Sequence, residues 1–153
     1  MEYFPFGHQI DLQNVSDPSG SITICEPPLI GLFEVRRVYF LHNLSNEARR
    51  GGHAHRQLHQ LIIAASGSFT LDLTRFGVNK SILLNDPSKA CYVPPWTWRD
   101  ISEFSGNSVC LVLASETYFE SDYIRNFDQF TSESELLVNA GENISTSASH
   151  SAN

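Results

Sequence analysis

The sequence predicts an all-β domain, an antiparallel sandwich or barrel. Three observations carry this. Short strand-like runs recur at roughly ten-residue spacing, with Gly, Asn or Pro between them. Ser68 to Arg75 alternates strictly, with Phe69, Leu71 and Leu73 against Thr70, Asp72 and Thr74, as a half-buried strand does. Phe33 to His42 is rich in aromatic and β-branched residues, yet neither of its faces is cleanly polar. That pattern suits a barrel wall bordering a partly polar lumen.

In chain order, residues 11–20 read as turn-rich, with Asp17-Pro18-Ser19-Gly20 as a tight turn. Ser21 to Glu26 is a short strand stopped by Pro27-Pro28. On the next strand Phe33, Val35, Arg37, Tyr39 and Leu41 share one face. Asn43 to Gly52 is a polar loop that delivers the chain to His53 and His55. Leu61 to Ala65 is a continuous apolar run closed by Ser66-Gly67, the pattern of a buried strand. Phe76 to Lys80 is a hairpin turn, Ser81 to Leu84 a strand, and Asn85 to Ser88 a turn. Ala90 to Val93, Trp98 to Phe104 and Ser108 to Ala114 complete the strands. After Ser115 the pattern changes. Tyr123, Phe127 and Phe130 are spaced as on one helical face, and Ser132-x-x-Glu135 before Leu136 marks the start of a second short helix. Residues 1–140 form one domain. Residues 141–153 are Ser-rich and nearly uncharged, and are expected to be a disordered tail.

Bulk properties narrow the function. The chain has 153 residues, 41% of them hydrophobic, enough for a single core. No apolar run is long enough to span a membrane. Met1-Glu2-Tyr3-Phe4-Pro5 has neither a basic start nor an apolar stretch, so no signal peptide is read there and a cytoplasmic protein is expected. Cys25, Cys91 and Cys110 are odd in number and far apart, which fits neither a disulfide framework nor a thiolate metal site. The formal net charge of −7, with only ten Lys and Arg, argues against a nucleic-acid binder. Five arginines (Arg36, Arg37, Arg49, Arg50 and Arg56) nevertheless fall within twenty-one residues around the His pair. Arginine forks suit phosphate, so this cluster points to a small bound anion.

The stretch Arg49 to Gly67 has the spacing H-x-H-x4-Q-x6-G through His53, His55, Gln60 and Gly67. It resembles the first cupin motif, with Gln in place of the usual acid. Pro94, Trp96 and Arg99 occupy the fixed positions of the second, P-x-G-x2-H. The resemblance implies an RmlC-like jelly-roll barrel with short C-terminal helices. A cupin metal would need ligands at positions 60 and 99, but Gln is a weak ligand and Arg cannot ligate a cation. Neither a metal nor another cofactor is expected. His59 is a candidate substitute ligand, since on an unbroken strand positions 53, 55, 57 and 59 share a face, an arrangement that a bulge would change. Metal-free acid–base chemistry by imidazole is the better reading, since histidine exchanges protons near neutral pH.

Further blocks are more specific: Arg37-Val38-Tyr39, Glu47 to His55, Gln60, Gly67-Ser68, Val93-Pro94, Trp98, Val112 to Ser115, and Tyr118-x-Glu120-x-Asp122-Tyr123-Ile124-Arg125. Together they resemble the cupin-type nucleotide-sugar 3,4-ketoisomerases that act on dTDP-4-oxo-6-deoxy-D-glucose. The resemblance implies a homodimer with exchanged N-terminal strands, serving dideoxy-amino-sugar synthesis for surface glycans such as O-antigen or S-layer chains. It implies His53 as catalytic base, His55 beside it, and Tyr39 as proton relay or donor. Arg37, Arg49, Arg50, Gln60, Trp98, Arg99 and Ser19 are the expected substrate contacts. The C4 configuration of the product stays open, with Arg99 favouring gluco. Gly52 is smaller than the residue the family leads one to expect and is read as widening the loop. The competing readings are a related epimerase, a non-catalytic sugar-nucleotide-binding cupin and a metal-dependent dioxygenase.

Overall fold

The computed structural model describes residues 6–26 and 33–149, with side chains up to residue 141. The N-terminal stretch read for a targeting signal, the stop at Pro27-Pro28 and the last four residues lie outside the described residues. Two five-stranded antiparallel sheets face each other. The first has the order β1 (Gln9–Asp11), β9 (Lys89–Val93), β6 (Gln60–Ser66), β11 (Val109–Ala114), β4 (Arg37–Leu41). The second runs β12 (Tyr123–Ile124), β5 (Arg50–His55), β10 (Trp98–Ser102), β7 (Phe69–Arg75), β8 (Val78–Leu84). β2 (Gln13–Asp17) and β3 (Gly20–Ile24) form a separate hairpin. The architecture is a jelly roll. The two sheets do not close into the barrel that was expected.

Alternation explains the core. Phe69, Leu71 and Leu73 of β7 meet Ile62 and Ala64 of β6, Val93 of β9 and Val112 of β11 between the sheets. β6 is covered on both sides. Its other face, Leu61 and Ile63, packs with Ile10, Leu12, Tyr92 and Leu113 outside the first sheet. A strand buried on both faces needs no polar alternation, which is why Leu61 to Ala65 is unbroken. Outside the second sheet, Ala54, Trp98, Ile124 and Phe130 make a third cluster.

Several expectations change. Residues 11–20 are not mainly turn: the end of β1 and all of β2 lie there, with only Pro18-Ser19 turning. The strand foreseen over 33–42 is shorter, because pairing with β11 spans only Arg37 to Leu41. The hairpin after β7 turns on Phe76 and Gly77 alone, both at positive φ (46° and 77°). That two-residue form matches the strands' twist and lets pairing resume at Val78. Gly52 does not widen a loop. It is the extra residue of a bulge in β5: Arg99 pairs with His53, and Asp100 pairs with Gly51.

The C-terminal region departs most. Tyr123 is not helical; it pairs with His55 in β12, after a short 3-10 turn at Glu120–Asp122. One helix, α1 (Phe127–Ser149), replaces the two short ones. Asn126 starts it by accepting the Gln129 N–H at 2.8 Å. Ser132 and Glu135 therefore lie inside the helix rather than capping a new one. No proline follows Asn126, so nothing interrupts the backbone, and helix extends past Gly141 into the stretch read as a tail.

Candidate active site

A cavity of about 380 Å³ opens between the sheets. Its side chains come from six strands and the segment after β12. β4 supplies Arg37, Tyr39 and Leu41, β5 supplies Arg50 and His53, and β6 supplies Gln60. Arg99 of β10 forms the floor, and Tyr123 with Arg125 closes one side. The same period-two alternation that turns Tyr39 inward leaves Val38 and Phe40 on the exterior.

The bulge decides where the histidines go. Gly51 and Gly52 stand at φ of +86° and +68°, a conformation that glycine adopts without strain. A Cβ on Gly51 would come within 2.5 Å of the Arg99 carbonyl oxygen. This close approach leaves the Gly51 carbonyl free to accept from His53 Nδ1 at 3.1 Å. A carbonyl only accepts, so the proton is on Nδ1 and His53 Nε2 carries a free lone pair. Burial, followed by the charge of Arg99, lowers the His53 pKa to about 4. The imidazole is neutral at pH 7, a base rather than an acid.

His55 lies behind it at 1% exposure, so it does not line the cavity itself. The two imidazoles meet edge to face with centroids 4.9 Å apart. His55 Nδ1 donates to Asp122 Oδ2 at 3.0 Å, and Asp122 Oδ1 accepts the Gln57 N–H at 2.7 Å. Both oxygens of the carboxylate are thus engaged, and the tautomer of His55 is set as firmly as that of His53. Burial is the first cause pulling the His55 pKa down to about 2, with Arg99 adding to it. The Tyr123 ring covers both imidazoles, 4.9 Å from His53 and 4.2 Å from His55.

Opposite them, a polar chain crosses the floor. Arg99, 2% exposed, donates through Nη1 to Gln60 Oε1 and through Nη2 to the Thr97 carbonyl at 2.6 Å. Gln60 Nε2 donates to the Tyr39 hydroxyl at 2.9 Å. The Arg37 guanidinium sits 5.0 Å from the centre of the Tyr39 ring. Burial lowers the Arg99 pKa to about 10, still well above neutrality, so its charge persists. Burial raises the Tyr39 pKa, keeping the phenol protonated. Arg37 Nε, Arg99 Nε and His55 Nε2 are buried without a hydrogen-bond partner among the described residues. Buried polar atoms without a partner are uncommon in folded proteins. Three of them lie in and against this one cavity.

Of the residues read from sequence, His53, Tyr39, Arg37, Arg50, Gln60 and Arg99 line this cavity. Three do not. Arg49 is exposed just before β5. Ser19 is at the tip of the β2–β3 hairpin, where its N–H donates to Asp17 Oδ1 at 2.7 Å. Trp98 is on the outer face of β10, because its neighbour Arg99 takes the inner one. Its ring lies 5.1 Å from Phe127 and 5.7 Å from Phe130, and its Nε1 donates to Asp100. His59 is remote as well; its Nδ1 pairs with the Tyr92 hydroxyl at 2.7 Å, outside the first sheet. Among the described residues, no three His, Cys, Asp or Glu side chains group as metal ligands.

Sequence reasoning missed Asp122, Tyr123 and Arg125. The block Tyr118 to Arg125 contains them, but its aromatic spacing imitates a helix. Arg125 stacks over Tyr123 at 4.2 Å and is held by Glu120 through two bonds of 2.7 and 2.9 Å.

Comparison with known proteins identifies relatives over most of the chain. Residues 7–135 match the family described as FdtA: WxcM-like, C-terminal. The TDP-4-oxo-6-deoxy-alpha-D-glucose-3,4-oxoisomerase of Aneurinibacillus thermoaerophilus is 35% identical over 121 residues, 79% of this chain and 87% of that protein. QdtA, a sugar 3,4-ketoisomerase from Thermoanaerobacterium thermosaccharolyticum solved with TDP, superposes with a TM-score of 0.81 at 37% identity, covering 88% of this chain and 97% of QdtA. A His-to-Asn variant of QdtA, solved with TDP-4-keto-6-deoxyglucose, gives a TM-score of 0.82 at 35% identity, covering 87% and 96%. By the extent of the family match and the identity to these relatives, the chain belongs to the FdtA (WxcM-like, C-terminal) family.

Proposed function

We propose that the chain is a TDP-sugar 3,4-ketoisomerase acting on dTDP-4-oxo-6-deoxy-D-glucose. One observation carries this beyond family membership. A neutral imidazole with its lone pair fixed on Nε2 shares a cavity with a protonated phenol and the buried guanidinium of Arg99. That set suits proton transfer between carbons next to a ketone.

The C4 ketone acidifies the C3 hydrogen. His53 Nε2 removes it, and charge develops on O4 of the enediolate. The Tyr39 hydroxyl donates to that oxygen, and the positive charges of Arg37 and Arg99 stabilise the negative charge on it. A well-placed donor of this kind contributes about 3 kcal/mol to the barrier reduction. The His53 imidazolium then returns the proton to C4, and the O3 proton restores the phenol. Hydrogen has moved from C3 to C4 and from O3 to O4, so no redox partner is required. Arg50 at the mouth, with the neighbouring Arg49, is suited to the diphosphate. Holding the ring still supplies several further kcal/mol.

We also propose a homodimer. β4 is an edge strand with Val38 and Phe40 more than half exposed, and Val15 and Ile22 of the β2–β3 hairpin are equally bare. A second copy that exchanges the N-terminal strands would cover these side chains and carry Ser19 toward a neighbouring cavity. Light scattering at a single monomer mass across working concentrations would reject this. Free Cys25, Cys91 and Cys110 support a reducing, cytoplasmic setting.

Incubation with dTDP-4-oxo-6-deoxy-D-glucose, followed by NMR, tests the central reading. The C4 carbonyl signal should give way to one at C3, and the coupling of the new C4 hydrogen reports gluco or galacto. An unchanged C4 ketone would reject the assignment.

A further inference from the structure

Gln60 is 1% exposed, so it presents almost no surface to a ligand, although its position is where a cupin places a metal-binding acid. Its two polar atoms are both committed. A guanidinium has only donors, so the oxygen of the amide must face Arg99. The amide nitrogen is thereby turned to the Tyr39 hydroxyl, 2.9 Å away. An NH2 group only donates, so the phenol oxygen accepts, and its own hydrogen must leave in another direction. Tyr39 lines the cavity, so that hydrogen is available to an acceptor bound there.

We propose that Gln60 is a positioning residue: locked by Arg99, it forces the Tyr39 phenol to act as a donor to the oxygen at C4 of the substrate. The assignment deepens the isomerase reading and rests on it for the identity of the acceptor. It also explains why Gln, and not the acid of metal-binding cupins, occupies the site. A carboxylate there would pair with Arg99 and accept the phenol hydrogen. The donor would then be turned from the cavity, and the alkaline form of the phenol would be opposed by a nearby negative charge. The groups facing the phenol are Arg37 on its own strand, Arg99 on β10, Cys110 on β11 and Tyr123 on β12; His53 of β5 shares the cavity.

The nearly isosteric Gln60→Glu variant tests this, beside Gln60→Met, which removes the interaction without creating an acceptor. We expect kcat to fall about 100-fold in Gln60→Glu, the loss typical of one missing oxyanion donor. KM and the calorimetric affinity for TDP should stay within about threefold. Gln60→Met should lie between wild type and Gln60→Glu. Phenolate absorbance, with each Tyr39→Phe counterpart subtracted, should place the Tyr39 titration at higher pH in Gln60→Glu than in wild type. That last readout needs no substrate. If wild-type protein fails to turn over the sugar, the isomerase reading falls, while the titration still judges the hydrogen-bond direction. Unchanged kcat, a Tyr39 titration that does not rise, or weakened TDP binding at constant kcat would each overturn the proposal. The last would make Gln60 a direct ligand contact.

Discussion

Asp122 acts through two bonds whose directions are dictated by chemistry. The Gln57 N–H and the His55 Nδ1–H both need acceptors, and the carboxylate supplies one oxygen to each. In Asp122→Asn the single remaining oxygen stays with the Gln57 N–H, and the amide NH2 then faces His55 Nδ1. The imidazole must move its proton to Nε2. Nitrogen-15 NMR should show this tautomer change, with kcat lowered roughly 100-fold, the lower range for general acid–base groups. A wild-type tautomer in the variant would show that Asp122 does not set it. His53→Asn removes the lone pair at the cavity and should cost at least as much in turnover, while TDP still binds by calorimetry. For His53 the acid limb of kcat/KM should fall near pH 4, not near the ordinary 6.5, because burial opposes its protonation. An acid limb centred at 6.5 would place another group in the role of base.

At the scale of elements, β5 and α1 make opposite demands on their sequences. β5 needs two glycines in succession to form its bulge. Gly51→Ala meets both a left-handed backbone and the Arg99 carbonyl, and should cost about 1–3 kcal/mol of stability while displacing His53. A denaturation midpoint equal to wild type would show that the bulge relaxes freely. α1 is held to the sheet by Trp98 and Phe130. Trp98→Ala should cost about 3–5 kcal/mol, as large-to-small core changes do, with affinity for TDP retained because the ring does not reach the cavity. Most strands were legible for a simple reason. Period-two alternation is visible in β7, and the same count places Arg37 and Tyr39 together on β4. That count also puts Trp98 opposite Arg99 once Arg99 is known to face inward, which position-by-position motif matching overlooks. β2 was not legible, since an exposed hairpin of Asn, Ser and Asp has the composition of a turn, and β1 was not because three residues carry no periodicity. Tyr123 was hidden because a two-residue strand has no periodicity, and its offsets of four and seven from Phe127 and Phe130 mimic a helix.

The whole molecule should be sensitive to acid. Unfolded histidine titrates near 6.5, whereas His53 and His55 are lowered to about 4 and about 2 in the fold. Below pH 6.5 the unfolded chain takes up protons that the native state refuses. Stability is therefore fully present above about 6.5 and declines as pH falls through 4 toward 2. Urea midpoints across this range should show the decline, and His55→Gln should flatten it; a midpoint constant down to pH 4 would contradict the burial of the pair. The binding potential of the cavity is equally a product of assembly, since its walls come from both sheets and no single hairpin contains it. One more relation follows from the C-terminal segment. Arg56 grips Glu133 of α1 at 3.1 Å and, through its other terminal nitrogen, the carbonyls of Ser121 and Tyr123. Asp122, between those two carbonyls, steers His55. Loosening the helix from outside, as by Arg56→Met, would thus be felt at the reacting carbon, and trimming this terminus as a dispensable appendage would slow an enzyme whose pocket had not been touched.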